Sequence, residues 1–254
     1  MSKTKLVAIV NVTPDSFSDG GKYFRPEEAV KVIEQHIADG ADIIDIGAES
    51  TRPGAIPLTS DEEWQRLEPV FKILPMGTFS LDTRHAETAR KALDYGIDWI
   101  NDVSGFSDMV MLDTVKNSDC KLVVMHSLSI PADKNIVMPE SVDVVQEIME
   151  FAKKRIGEMA SAGIARDRII FDPGIGFGKT ARQSWAIIDS TEHFSILGVP
   201  LLIGHSRKSF LSDRPGESRD EQTLAVSQTL VKRGVAYLRV HDVAAHKRML
   251  AHAN

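Results

Sequence analysis

Short apolar runs rich in valine and isoleucine recur along the whole chain, and this repetition limits the possible folds most strongly. Eight such runs occur, and each leads into a polar or glycine-containing loop and usually into a segment with helical periodicity. They lie at 6–10, 43–46, 78–81, 99–100 with Val103, 122–125, 169–171, 201–203 and 237–240. Eight strand–helix alternations in 254 residues predict a (β/α)8 TIM barrel, an α/β fold with one domain over residues 1–254, rather than an open doubly wound sheet.

The segments between the runs carry apolar residues at steps of three and four, which is typical of amphipathic helices. In the second segment the helix is expected to begin at Ser60, and its apolar face is marked by Trp64, Leu67, Phe71 and Leu74. Glycines lie where helices are expected to end ahead of the next strand, at Gly40, Gly96 and Gly163.

Charge and composition exclude several classes of protein. The formal net charge is −6 and no basic cluster is present, which argues against a nucleic-acid partner. Cys120 is the single cysteine, so a disulfide framework and a cysteine-based zinc site are excluded, and its place before an apolar strand favours a buried, inert thiol. No apolar run reaches membrane-spanning length, and the run after residues 1–5 is too short for a signal peptide. We expect a soluble, cytoplasmic protein without a membrane partner.

Polar and ionisable residues are concentrated where the apolar runs end. They include Asn11, Asp45, Asp82, Asn101, Asp102, His126, Asp172, the segment 204–208, Arg239 and His241. The segments that enter the strands carry glycine, alanine and scattered charge instead. Active sites of barrel enzymes lie at the carboxyl ends of the strands, so this asymmetry predicts a catalytic face there.

The segment 171–179, with the sequence FDPGIGFGK, is the most informative of these strand ends. Apolar strand residues stop at Asp172, Pro173 prevents further strand pairing, and alternating glycines let a ligand approach the backbone. The segment is also a near match to the phosphate-binding P-loop. However, Pro173 occupies the position of the required first glycine, which argues against binding of a nucleoside triphosphate.

Seven blocks in the chain resemble the dihydropteroate synthase family, and they follow the family order from one end of the chain to the other. They are IVNVTPDSFSDGG at 9–21, DIGAESTRPG at 45–54, SLDT at 80–83, INDV at 100–103, DPGIGFGK at 172–179, SRKS at 206–209 and RVHD at 239–242. The resemblance implies a (β/α)8 barrel, usually a homodimer. It also implies a reaction that joins 4-aminobenzoate to 6-hydroxymethyl-7,8-dihydropterin diphosphate and releases diphosphate.

The resemblance implies a pterin site at the strand ends. Asp172 matches the residue that binds the guanidine-like edge of the pterin, and a carboxylate suits that edge because it accepts two parallel hydrogen bonds. Asp82 and Asn101 match positions that bind the remaining ring nitrogens, and Met125 belongs to the same site. Lys208 is expected to contact the pterin and to line the entry of the second substrate.

The other ligands have implied sites as well. Diphosphate is expected to bind Asn11, Thr51, Arg52, Arg239 and His241, together with a Mg²⁺ ion that has Asn11 as its protein ligand. The aminobenzoate pocket is expected to consist of Phe17, Pro53, Phe177, Lys208 and Ser209. The groups expected to act in catalysis, by stabilising the departing charge, are Arg52, Lys208, Arg239 and His241.

Three alternatives remain on the sequence alone. A pterin-binding methyltransferase would share the Asp and Asn positions but has no use for the segments 206–209 and 239–241. A metal-dependent hydrolase is suggested by His126, His205 and His241, but it would need a His-x-His pair in the first strand, where Asn11 lies between two valines. A catalytically silent pterin-binding paralogue would be expected to lose loop residues, yet the chain retains Phe17, Thr51 and Arg52.

Overall fold

The computed structural model describes residues 4–13, 25–50, 54–133, 135–213 and 218–252. Its strands are β1 (Lys5–Asn11), β2 (Ile43–Gly47), β3 (Phe79–Asp82), β4 (Trp99–Asp102), β5 (Lys121–Met125), β6 (Ile169–Asp172), β7 (Leu202–Ile203) and β8 (Tyr237–Val240). All pair in parallel in one sheet, in the order β6-β5-β4-β3-β2-β1-β8-β7.

The two end strands of this order bring the sheet close to closure. An isolated parallel bridge joins Phe171 of β6 to Leu201, which directly precedes β7, and the Phe171 backbone N donates to Pro200 O at 2.9 Å. Helices alternate with the strands, so the predicted (β/α)8 TIM barrel is confirmed.

The helices are α1 (Pro26–Ala38), α2 (Ser60–Phe71), α3 (Ala86–Asp94), α4 (Met109–Val115), α5 (Val144–Ser161), α6 (Ala181–Asp189), α7 (Arg219–Lys232) and α8 (Val243–His252). Short 3₁₀ helices occupy Arg166–Arg168, Thr191–Leu197 and Ser209–Asp213. The glycines predicted at helix ends, Gly40, Gly96 and Gly163, do follow helices and have positive φ.

Helix α2 confirms one sequence expectation and corrects another. It begins at Ser60, where the Thr59 hydroxyl accepts from Glu62 N and the Glu62 side chain bonds back to Thr59 N. The expectation that the helix extends to Leu74 is wrong, because α2 ends at Phe71. Pro75 follows Leu74 and disfavours helical backbone at that residue.

Alternate residues of the strands face two different apolar clusters. The larger cluster lies between the strands and the helices and includes Leu6, Ile44, Leu122 and Leu238. The smaller cluster fills the barrel interior, and we call it the lower layer; it consists of Val7, Ile43, Trp99, Val123, Ile170 and Leu202, with Tyr237 packed against it. Its members all lie on the inward-facing side of their strands, since successive strand side chains point to opposite faces.

Two simple expectations can be compared with the structure directly. Cys120 is a free, buried thiol, as the sequence predicted. Across the part of the chain that the structure describes, the helices are too short or too polar to cross a membrane.

Candidate active site

Two residues beyond the lower layer, the barrel interior becomes polar. Asp45 follows Ile43, Asn101 follows Trp99, and the other polar members of this level are Asp82, Asp172 and Arg239. We call these five residues the upper layer. The strand register places Asp82 beside Asn101, and Met125 beside Asp172. The upper layer lies at the carboxyl ends of the strands, where barrel enzymes have their active sites.

Arg239 links three strands of the upper layer. Its Nε donates to Asp45 Oδ2 at 2.6 Å, and its Nη2 donates to Asp82 Oδ2 at 2.8 Å. Asn101 Nδ2 donates to the same Asp45 oxygen at 3.1 Å. Residues far apart in sequence are therefore fixed in one network, and a guanidinium that uses two of its five N–H groups keeps three for a ligand.

Burial and pairing compete at this network. Burial raises the pKa of Asp82 to about 7, although the neighbouring Arg239 guanidinium opposes the shift. Burial also disfavours the charged form of Arg239, but the carboxylates of Asp45 and Asp82 outweigh it and raise the Arg239 pKa above its ordinary value. Asp45 Oδ1 is buried without a hydrogen-bond partner among the described residues. The network thus combines an ionised guanidinium with carboxylates that lack full solvation.

Asp172 lies at the end of β6 with its carboxylate already oriented. Oδ1 accepts a hydrogen bond from Gly174 N at 2.7 Å, which leaves further lone pairs on both oxygens for a ligand. Burial raises the Asp172 pKa, and the positive charge of Lys208 opposes that rise. Gly174 has φ 65°, and a Cβ there would lie 1.9 Å from His126 O, so the turn requires glycine.

Lys208 lies over the glycine-rich loop from the side of β7. Its Nζ donates to Ile175 O and lies 4.6 Å from the centre of the Phe177 ring, a cation–π distance. Burial lowers the Lys208 pKa to about 8, while Asp172 acts in the opposite direction. Phe177 is half-buried and Ser209 is exposed. Lys208 therefore contacts the glycine-rich loop at Ile175 and Phe177, and its charge acts on the Asp172 carboxylate.

His241 follows β8 and is held by Ser206. The His241 backbone N donates to Ser206 Oγ at 3.3 Å, and that hydroxyl lies 2.9 Å from His241 Nδ1. When the hydroxyl donates to Nδ1, the ring proton lies on Nε2, which suits donation to an anionic ligand. The neighbouring Arg207 has φ 57°, and its N donates to Thr223 Oγ1 at 3.2 Å. This turn places Lys208 above the barrel.

Asn11 ends β1, level with Gly47 of β2, and is partly buried. Its side chain makes no hydrogen bond with the described residues, so its amide oxygen can serve as a hard ligand. Within those residues no group of three or more His, Cys, Asp or Glu side chains could hold a metal ion. Four predicted site residues lie outside the described residues, namely Phe17, Thr51, Arg52 and Pro53.

Sequence reasoning gave no role to Asp45, although the structure places it at the centre of the Arg239 network. The available signal was a carboxylate inside an apolar run, two residues after Ile43 and therefore on the same face of the strand. Ser206 was likewise recognised only as part of a matching block. Its contact with His241 joins two segments that the sequence does not relate.

Fold and site together define a barrel enzyme with an ionic binding face at its strand ends. A family model described as pterin binding enzyme matches residues 7–241, and the chain belongs to this family. Its curated relatives and similar solved structures include dihydropteroate synthases. One of them, from Neisseria meningitidis serogroup C, is 41% identical over 255 residues, which cover 96% of this chain and 90% of the relative.

Solved structures support the same membership. Dihydropteroate synthase from Anaplasma phagocytophilum with bound 6-hydroxymethylpterin-monophosphate matches with a TM-score of 0.91 and 36% identity, over 100% of this chain and 99% of that one. The Xanthomonas albilineans dihydropteroate synthase with 4-aminobenzoic acid matches with a TM-score of 0.90 and 36% identity, over 98% and 92%. Other curated relatives are longer bifunctional proteins, and this chain spans between 29% and 59% of their length.

Proposed function

We propose that the protein is a dihydropteroate synthase, a transferase of folate biosynthesis. It joins 6-hydroxymethyl-7,8-dihydropterin diphosphate to 4-aminobenzoate and releases 7,8-dihydropteroate and diphosphate. The observation that carries the proposal is the pre-oriented Asp172 carboxylate, which lies in the same upper layer as the Arg239 network. Family membership and the two ligand-bound relatives give the chemistry of the substrates.

Asp172 suits the pterin edge because that edge presents two parallel N–H donors, N3–H and the 2-amino group. A carboxylate can accept both while Oδ1 keeps its bond from Gly174 N. Asp82, Asn101 and Met125 lie on neighbouring strands, with Met125 beside Asp172, and would contact the remaining ring atoms. Lys208 covers the same region from above.

Arg239 and His241 suit the diphosphate because they offer N–H donors from the same end of β8. Arg239 can donate to a phosphate oxygen without leaving Asp45 and Asp82. Arg52 and Thr51 complete this part of the proposed site. Such fixed donors stabilise the charge that develops on a departing diphosphate.

Mg²⁺ fits this donor set, since it is commonly held by substrate phosphates and few protein groups. Asn11 would be its protein ligand, through the amide oxygen. When bound, the ion would neutralise charge on the diphosphate oxygens.

The proposed reaction needs no protein nucleophile. The carbon–oxygen bond to diphosphate breaks, the electron-rich pterin ring stabilises the resulting cationic methylene, and the aryl amine attacks that carbon and loses a proton. Phe17, Pro53, Phe177 and Ser209 would form the aminobenzoate pocket beside Lys208. Exclusion of water from this pocket would prevent hydrolysis of the cation.

Three further expectations belong to the proposal. The chain forms one domain over residues 1–254, it acts as a homodimer, and it works in the cytoplasm. The free, buried thiol of Cys120 fits a reducing compartment.

The test is turnover of the purified protein with the dihydropterin diphosphate and Mg²⁺, with and without 4-aminobenzoate. We expect diphosphate release that depends on 4-aminobenzoate and equals the dihydropteroate formed. Binding of the pterin without turnover would instead favour a methyltransferase or a catalytically silent paralogue. Absence of pterin binding would contradict both the activity and the assigned pterin site.

A further inference from the structure

Lys179 ends the glycine-rich segment, and its ammonium group is buried in the protein. The side chain is 7% exposed. Its Nζ lies 2.9 Å from Gly174 O, 2.9 Å from Phe177 O and 2.9 Å from His126 Nδ1, with His126 O at 3.4 Å. All of these groups are acceptors, and the described residues place no carboxylate in ion-pair contact with Nζ. An ammonium group has three N–H donors, which match the three short contacts.

These contacts fix the loop 173–178 against the segment that follows β5. Gly174 and Phe177 belong to the loop, while His126 belongs to the neighbouring segment. The two backbones also lie in direct contact, since a Cβ at Gly174 would lie 1.9 Å from His126 O. A Cβ at Gly178 would lie 2.6 Å from Leu128 Cβ. The lysine therefore holds together two segments that already pack without space between them.

The same loop touches the proposed pterin site at two points. Gly174 uses its carbonyl for Lys179 and its N–H for Asp172, so the ammonium group and the carboxylate contact one residue from opposite sides. Ile175 O accepts from Lys208, and the Phe177 ring lies beneath that lysine. The orientation of Gly174 thus connects Lys179 to the carboxylate that faces the pterin.

Burial of this ammonium group costs free energy, whereas burial of an apolar side chain at the same position would not. Burial and the charge of Lys208 together lower the pKa of Lys179 to about 7, while the charge of Asp172 opposes them. An apolar side chain would fill the same space without that cost. An apolar side chain, however, could not donate to Gly174 O or Phe177 O.

We propose that Lys179 is a positioning residue, whose ammonium group fixes the loop 173–178 and, through Gly174, orients the Asp172 carboxylate for the pterin. The role rests on the function proposed above. In this role Lys179 acts through Gly174 and not by contact with the substrates.

The state of His126 supports this arrangement. Burial, together with the charge of Lys179, lowers the pKa of His126 to about 3, so the ring is neutral. Its Nδ1 accepts from Lys179, which leaves the proton on Nε2. The ring also packs edge-on against Phe151, with 4.8 Å between ring centres. A neutral, fixed imidazole is a suitable acceptor for a buried ammonium group.

The decisive variant is Lys179→Met, which keeps a long, unbranched side chain and removes the donors. Its control is Lys247→Met, because Lys247 Nζ also donates to a glycine carbonyl, Gly40 O at 2.8 Å, but ahead of β2 and away from the carboxyl ends of the strands. Affinity for the dihydropterin diphosphate is measured by calorimetry, and kcat and KM are measured at a temperature where circular dichroism reports full folding.

We expect Lys179→Met to weaken pterin binding and raise the pterin KM about tenfold, with kcat changed less than about threefold. Lys247→Met should match wild type in pterin affinity, in pterin KM and in kcat. A merely structural role would reduce the active fraction, and so kcat, with KM unchanged, and that result would overturn the proposal. A wild type that binds the pterin no more tightly than the variant would also overturn it. A wild type that binds no pterin at all would overturn the proposed function, and the positioning role with it.

A second measurement requires no variant and therefore does not depend on whether Lys179→Met folds. Nitrogen-15 NMR of the histidine rings in the wild type should show His126 protonated on Nε2 and unprotonated on Nδ1 between pH 5 and 8. A proton on Nδ1 would exclude the hydrogen bond from Lys179 and overturn the proposal.

Discussion

The two layers of the barrel interior differ sharply, although they lie two residues apart on the same strands. The lower layer is apolar and includes an edge-on contact between Trp99 and Tyr237, with ring centres 5.0 Å apart. The upper layer holds carboxylates, an amide and a guanidinium. Apolar burial stabilises the fold, whereas buried ionised groups cost stability unless they are paired. Residues that stabilise the barrel and residues that form the polar site thus lie on the same strands, two positions apart.

The largest effect should follow from Arg239→Met, which removes the cation of the upper layer. We expect dihydropteroate formation to fall by about 10²–10³-fold, because the diphosphate loses a fixed donor. We also expect the free energy of unfolding to fall by about 3 kcal/mol, because the buried Asp45 carboxylate loses its cationic partner and keeps only the hydrogen bond from Asn101. Steady-state kinetics and urea unfolding measure the two quantities.

The control for Arg239→Met is Arg90→Met, which removes an exposed arginine paired with Glu87 on α3. Arg90→Met should change neither the rate of dihydropteroate formation nor the free energy of unfolding appreciably. Full activity in Arg239→Met would contradict the assigned anion site.

A change in the lower layer should separate stability from activity. Ile170→Ala leaves a cavity in the barrel interior and should lower the free energy of unfolding by about 3 kcal/mol. The kcat of the folded protein should stay within about twofold of wild type, since Ile170 does not reach the upper layer. Ile196→Ala, at an exposed position, is the comparison for the stability measurement. A loss of kcat as large as that of Arg239→Met would show that the two layers are not separate.

Asp172→Asn tests the upper layer without changing its volume. The Asn oxygen can still accept from Gly174 N, which turns the amide N–H₂ toward the donors of the pterin edge. We expect pterin affinity to fall about thirtyfold, or about 2 kcal/mol, in calorimetry. The surface variant Asp113→Asn serves as the control. Unchanged affinity would mean that another group binds that edge.

The smallest effect concerns pH and should arise only in the upper layer. Burial raises the pKa of Asp82 in the folded protein above its pKa in the unfolded chain. Asp82 therefore contributes stability at pH values below its unfolded pKa, and this contribution is lost as the pH rises through about 7. Asp82→Asn should therefore lose less stability than wild type when the pH rises from 4.5 to 8. About a fifth of the side chain is exposed, so we expect a change of about 1 kcal/mol between pH 4.5 and 8.

The measurement is urea unfolding at several pH values, with the exposed Asp61→Asn as the reference. A stability difference between Asp82→Asn and wild type that does not vary with pH would contradict the raised pKa.

The sequence predicted the barrel because its evidence is local. Valine- and isoleucine-rich runs, glycine helix ends and polar strand ends each depend on a few neighbouring residues, as at Gly40 and Asp172. The predicted extension of α2 to Leu74 failed at a boundary, where Pro75 outweighs apolar periodicity.

The connections within the site could not be predicted in the same way. Arg239 bonds to Asp45 and Asp82 across 194 and 157 residues, and only the closed barrel brings them together. The burial of Lys179 likewise depends on His126, which follows another strand, β5. Resemblance to a family identified which residues to examine, but it did not identify these contacts.

The seam between β6 and β7 has a consequence for how ligands enter the barrel. Seven strand pairs are joined by regular ladders, whereas Phe171 and Leu201 meet in an isolated bridge. Asp172 and Lys208 follow the two sides of this seam. Widening the gap between them breaks fewer backbone hydrogen bonds than widening any other, so amide hydrogen exchange should begin there and slow when a ligand spans it. The barrel wall is therefore easiest to open along this seam, beside Asp172 and Lys208 of the proposed pterin site.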